Sequence, residues 1–160
     1  MPALLVIIVA VAVFTEKTFH VEKVIAAPPD AIWAVLVDTS RYPDWNPVFV
    51  AVAGDYAEGE TLTNTVRFPD GSRVDMAATI ETLIEHKEIR QTGGVPGLLT
   101  FDHQWLLEPV DGGTRVVQHE VDRGLWLWFW DSEWIEPSYA DVLDALAERV
   151  RARDLPTDTN

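Results

Sequence analysis

The spacing of apolar residues along the chain predicts a β-rich domain closed by one long helix. Thr18 to Ala26 alternates weakly and reads as a first strand. Pro28-Pro29-Asp30 then opens a helix. A proline in the first turn forfeits no hydrogen bond, an acidic residue there suits the positive end of the helix, and Ile32, Trp33, Leu36 and Val37 recur at helical spacing. Asp38-Thr39-Ser40 offers a stop and a new cap before Arg41-Tyr42-Pro43-Asp44-Trp45, which has room for about one turn. Two short helices therefore follow the first strand.

Strands are expected next over Pro47 to Ala53, Glu60 to Phe68, Ser72 to Leu83 and Glu85 to Thr92, separated by Gly54-Asp55, by Pro69-Asp70-Gly71 and by a tight bend near Ile84 and Glu85. In the third of these, Val74, Met76, Ala78 and Ile80 face one way while Arg73, Asp75, Thr79 and Glu81 face the other, so the sheet has a dry face and a wet face. Gly93-Gly94-Val95-Pro96-Gly97 reads as a loop, and it lacks the glycine spacing that cradles phosphate. Leu98 to Pro109 and Thr114 to Asp122 form a hairpin. A three-residue loop with Gly113 left-handed sets Leu107 opposite Val117, Trp105 opposite His119 and His103 opposite Val121, which gathers the apolar residues on one face. The register slipped by one residue sets Glu120 opposite His103 instead. By the expected parity Asp75, Asp102, Glu120 and Asp122 fall on the wet side.

Leu125 to Trp130 is apolar on both sides and is no half-exposed strand. Ser138-Tyr139-Ala140-Asp141 resembles a capping box, with Pro137 marking the helix start. From there Tyr139, Val142, Leu143, Leu146, Ala147 and Val150 make one apolar stripe, and Arg149, Arg151 and Arg153 suit the negative end of the helix.

The elbow carries a family resemblance. The strand, Ala27-Pro28, Trp33, Leu36, Asp38 and then Tyr42-Pro43, Trp45-Asn46-Pro47 resemble the opening of the START-like (SRPBCC) superfamily of polyketide cyclases and dehydrases. Gly54 and Gly59 around a turn, Pro96-Gly97 before a strand, and Leu107-Glu108-Pro109 followed by Gly113-Thr114 keep the family order. The resemblance spans roughly Thr18 to Arg153 and implies an α+β helix-grip fold, a curved antiparallel β-sheet wrapped around a long C-terminal helix with an apolar cavity between them. Such folds serve hydrophobic-ligand carriers, aromatase/cyclases and ring-hydroxylase domains, so the fold transfers better than the function.

Composition narrows the chemistry. Twelve basic residues against 26 acidic ones give a net charge of −14, a poor match for nucleic acid or an anionic membrane surface. With no cysteine, disulfides, thiolate catalysis and cysteine-ligated clusters are excluded. The domain is expected over residues 16–153, with 154–160 a flexible tail. Ala3 to Phe14 is uncharged and apolar, and as a helix it extends about 18 Å against a hydrocarbon core of roughly 30 Å. Residues 1–15 therefore stand open to three readings: a short membrane-associating leader, an added strand or core segment, or a signal cleaved near Ala10-Val11-Ala12. As an anchor it would leave the domain in the cytoplasm, on the side of Lys17 and Lys23.

The candidate catalytic residues are His103 and His119, expected on the dry face of neighbouring strands, with Tyr139 on the helix stripe. Arg67 or Arg90, near strand ends, could reach the cavity mouth, the other reading being a structural Tyr139 and solvated arginines. The expected cavity lining is Val66, Met76, Ile80, Ile89, Phe101, His103, Trp105, His119, Val121, Trp126, Trp130, Tyr139, Val142 and Leu146. The tryptophans bunched at Trp126, Trp128, Trp130 and Trp134 form a gate or wall for a flat ligand, an interfacial contact, or a plug that fills the cavity. His20, His86, His103 and His119 make no i, i+3 or i, i+4 pair, so no metal site and no cofactor is expected. The leading functional reading is binding or transport of a hydrophobic small molecule, lipid or aromatic. The alternatives are a cyclase/dehydratase-type enzyme and a protein-interaction module with a filled cavity.

Overall fold

The computed structural model describes residues 15–154. The questions raised by the apolar leader and by the tail lie outside those residues. Strand β1 (Glu16–Ile25) leads into α1 (Pro29–Leu36), a single 3-10 turn over Thr39–Arg41 and α2 (Tyr42–Trp45). Six strands follow: β2 (Phe49–Ala53), β3 (Thr61–Arg67), β4 (Arg73–Ile84), β5 (Glu88–Val95), β6 (Leu99–Val110) and β7 (Gly113–Arg123). After a 3-10 turn over Leu125–Trp128, α3 (Ile135–Asp154) closes the chain. Every strand pairing is antiparallel and the order across the sheet is β1-β7-β6-β5-β4-β3-β2, so the elbow carries the chain from one edge strand to the other. This is the helix-grip architecture: a curled sheet holding α3 against its concave face.

The elbow is fixed by polar groups turned inward. Tyr42 donates its hydroxyl to the Leu36 carbonyl at 2.7 Å, and the Asn46 side-chain oxygen accepts the backbone N–H groups of Val48 and Phe49 at 3.0 and 2.8 Å. These bonds satisfy donors and an acceptor that the end of a helix and the start of a strand leave open. The expected cap at Asp38 is absent. Its carboxylate accepts from the Ser40 hydroxyl instead of a backbone N–H. Ile32 and Leu36 of α1 and Val142, Leu143, Leu146 and Val150 of α3 are buried together in the main core.

Three expectations need correction. First, α3 begins at Ile135, ahead of the Ser138 cap. Pro137 sits inside the first turn, where its missing N–H has no intrahelical partner to lose, and the Ser138 N–H already donates to the Trp134 carbonyl. Second, Gly93, Gly94 and Val95 continue β5 instead of forming a loop, and the chain reverses at Pro96-Gly97. A Cβ on Gly93 would collide with the Ala77 carbonyl and the Phe101 ring, so the glycine lets three strands approach closely.

The third correction matters most. The β6–β7 hairpin turns on a two-residue loop, Asp111-Gly112, with Gly112 at φ 88°, and Val110 pairs with Gly113. His103 therefore faces Glu120, Gln104 faces His119, and Leu107 faces Val116. An Asp-Gly pair between strands favours a two-residue loop, and β1 locks the outcome because Ile25 pairs with Thr114, whose hydroxyl donates to the Ala27 carbonyl at 2.8 Å. The slip reverses β7. Thr114, Val116, Gln118, Glu120 and Asp122 are buried, while His119 and Val121 are half-buried on the opposite face.

Candidate functional site

A cavity of about 240 Å³ lies between the concave face of the sheet and the N-terminal half of α3. Its apolar wall comes from Phe49 and Val66 on β2 and β3, Met76 on β4, Phe101 on β6, and Trp126, Trp130 and Trp134 before and at the start of α3. Val74 and Trp126, each about half exposed at 47% and 49%, stand at the rim. The polar lining is Asn64, Gln91, His103, Glu120, Asp122 and Tyr139, and all six are buried.

Those polar groups form linked pairs. Tyr139 donates its hydroxyl to Glu120 at 2.6 Å, and Gln118 donates its amide to the Tyr139 carbonyl at 3.2 Å. The Gln118 side-chain oxygen lies 3.4 Å from His103 Nε2. Asn64 donates to Gln91 at 3.3 Å, and Gln91 donates to the Tyr56 hydroxyl at 3.2 Å. Rings of Phe49, Trp105 and Tyr139 surround His103, with centroids 5.4 to 5.8 Å away.

Burial sets the protonation of this group. It pulls His103 down to about 4, so the ring is neutral at pH 7 despite the contact with Gln118. Glu120 is pushed up to about 8, first by burial and then by the charge of Asp122 two residues along the same strand face. Burial also raises Asp122, to about 6, against the pull of Glu120's hydrogen bond and of the Lys17 charge. At neutral pH the two carboxyl groups therefore hold one proton between them, on Glu120. The Tyr139 hydroxyl, buried beside Glu120, ionises only well above its ordinary range and serves as a donor. Asp122 Oδ1 is buried without a hydrogen-bond partner among the described residues. The cavity thus holds a proton donor, Glu120, beside a proton acceptor, Asp122, at the polar end of an aromatic pocket.

Of the residues expected to line a cavity, the structure brings Val66, Met76, Phe101, His103, Trp126, Trp130 and Tyr139 around it. Ile89, Trp105, Val142 and Leu146 are buried in the main core, and Ile80 packs with Leu62 and Ala78 in a second cluster. His119 and Val121 point away from the cavity, for the register reason given above. His119 Nδ1 sits 3.4 Å from His20 Nδ1 on the outer face. Neither arginine lines the cavity: Arg67 donates to the Pro47 carbonyl at 3.0 Å, and Arg90 pairs with Asp102 at 2.8 Å. Sequence reasoning placed Glu120 and Asp122 in solvent. The signal that would have brought them inside was the Asp111-Gly112 dipeptide. Trp126, Trp130 and Trp134 wall the cavity without filling it, and Trp128 stands about half exposed outside it. No cluster of three or more metal-ligating side chains occurs among the described residues.

Residues 16–151 match the family described as polyketide cyclase / dehydrase and lipid transport. The chain belongs to that family. Solved structures agree on the fold at low identity. A protein of unknown function from Staphylococcus aureus, SA2116, shares 11% identity at a TM-score of 0.67, covering 88% of this chain and 96% of that one. Ara h 8.0201 shares 16% at a TM-score of 0.65, covering 86% and all but 1% of its own length (99%). The di-domain aromatase/cyclase StfQ of the steffimycin biosynthetic pathway shares 12% at a TM-score of 0.68, and the match covers 86% of this chain and 52% of that protein. No curated protein matches the sequence. Among the described residues no helix is long and apolar enough to cross a membrane.

Proposed function

We propose that this member of the polyketide cyclase / dehydrase and lipid transport family binds a small hydrophobic molecule of one or two rings between its sheet and α3. The observation that carries the reading is the cavity itself, apolar and aromatic on its walls with polar groups gathered at one end. A cavity of about 150 Å³ accepts benzene, so 240 Å³ suits a body of about two fused rings and is small for a long-chain lipid. Val66 lines the cavity, and Val66→Phe places a ring in its space. Quenching of tryptophan fluorescence by a naphthalene-type probe, with Trp126 and Trp130 as reporters, is expected to saturate for the natural chain. For Val66→Phe it should weaken at least tenfold while the thermal midpoint is kept. Probe binding unaltered by that substitution would place the ligand elsewhere and sink the reading.

A second reading, a cyclase/dehydratase-type catalyst, is favoured by one observation. Protonated Glu120 beside ionised Asp122 supplies an acid and a base within one apolar enclosure, the pairing that enolisation and dehydration of a carbonyl compound use. On this reading Glu120 takes the role first expected of His119, with His103 and Tyr139 beside it. Glu120→Gln would abolish turnover of a bound ketone and leave its affinity within a few-fold.

A further inference from the structure

The donors around the polar end of the cavity are already engaged. Tyr139 gives its hydroxyl to Glu120, Gln118 gives its amide to the Tyr139 carbonyl, and Asn64 and Gln91 bond one another and Tyr56. Lys17, the cation that acts on Asp122, directs its ammonium to the Ser132 hydroxyl at 2.9 Å. An acceptor is left over: Asp122 lines the cavity, is only 2% exposed and shares a hydrogen bond with Glu120, yet its Oδ1 is buried with no partner among the described residues. A guest that completes this end must therefore bring a donor, and a carboxylate is completed best by a charged one. Trp126, Trp130 and Phe101 face the same space, and aromatic faces attract cations. The chain's net charge of −14 draws cations toward it and repels acids.

The geometry points to a small organic cation as the ligand class, a protonated primary amine on a one- or two-ring apolar body, its ammonium at Asp122 and Glu120 and its rings among Trp126, Trp130 and Phe101. This assignment rests on the binding reading above and sharpens it from hydrophobic molecule to hydrophobic amine. It also makes binding pH-dependent. The titratable groups around the pair are His103 of β6, Tyr139 of α3 and Lys17 of β1, while Asp102, paired with Arg90 on the other face of β6, acts on Glu120 only through its charge. His103 ionises near 4 and Tyr139 far above neutrality, so between pH 5.5 and 7.5 the change falls on Asp122 and Glu120.

The test uses the full chain and three probes of one shape: 2-naphthylmethylamine, 2-naphthylmethanol and 2-naphthoic acid, titrated by tryptophan fluorescence and calorimetry at pH 7.5. The amine is expected to bind at least tenfold more tightly than the alcohol, and the acid not to bind. Lowering the pH to 5.5 should weaken the amine about fourfold, the loss of ionised Asp122, and leave the alcohol unchanged. Asp122→Asn is expected to bring the amine down to within a few-fold of the alcohol, and a circular dichroism spectrum and thermal midpoint kept at those of the natural chain show that the variant is folded. An alcohol that binds as tightly as the amine overturns the cation assignment and leaves the cavity reading standing. A preference for the amine that survives Asp122→Asn overturns the role of Asp122. Binding of none of the three probes overturns the assignment and the binding reading together.

Discussion

Replacing Glu120 by glutamine should change how the stability of this protein depends on pH, and the structure supplies both sign and size. A glutamine keeps the oxygen that accepts from Tyr139 and can donate to Asp122, as protonated Glu120 does, but it never ionises. In the natural chain Glu120 holds its proton to about 8 when folded against an ordinary value of 4.5. The folded state therefore binds more protons than the unfolded chain between those limits, and stability falls as pH rises through them. His103, depressed to about 4, works in the other direction below 6.5, and Asp122, raised to about 6, adds its own fall beneath that. From pH 6.5 to 8 the Glu120 contribution is the cleanest. At about 1.4 kcal/mol per unit it costs on the order of 2 kcal/mol across that interval. Urea unfolding of both chains at half-unit pH steps measures it. Glu120→Gln should gain about 2 kcal/mol on the natural chain between pH 6.5 and 8. Parallel stability profiles would show that Glu120 ionises freely in the folded state and would refute the burial argument.

Two further outcomes are expected. Gly93→Ala forces a methyl group into the Ala77 carbonyl and the Phe101 ring, and should cost about 2 kcal/mol or more in urea unfolding, with the methyl-facing ring of Phe101 displaced into the cavity and probe binding weakened. His119→Ala removes a half-buried ring from the outer face and should leave probe affinity unchanged, whereas His103→Ala enlarges the cavity and should alter it; fluorescence titration of the two variants decides the matter.

Much of the fold was legible because burial and local chemistry agreed. The proline-opened α1, the apolar stripe of α3 and the alternation through Met76, Ala78 and Ile80 each point the same way by period and by turn residues. The site was less legible for one physical reason. Inward-facing Gln118, Glu120 and Asp122 make the buried side of β7 look like a solvent side, while Val117, His119 and Val121 make the outer side look like a core. Parity reasoning assumes that the dry face is the apolar one, and β7 breaks that assumption: Gln118 is satisfied by His103 and Tyr139 and Glu120 by Tyr139, while Asp122 keeps an unpaired oxygen. Glycine in β5 misled for a related reason. Gly93 and Gly94 weaken a ladder by composition, yet here Gly93 lets it pass beneath Phe101 and Gly94 lets it lie close against the backbone of Leu99 and Thr100.

The bond between Trp128 and Thr15 has a consequence for how the cavity wall is held. Trp128 donates its indole N–H to the Thr15 hydroxyl at 2.7 Å, and the Thr15 carbonyl accepts from Gly124 at 3.0 Å, so the start of β1 is tied to the segment that carries Trp126 and Trp130. Thr15, the first residue of the described fold, is thus held against the segment that supplies Trp126 and Trp130 to the cavity wall. Loosening the edge strand β1 at its start would therefore also loosen the segment that walls the cavity, so the sheet edge and the aromatic wall stand or fall together.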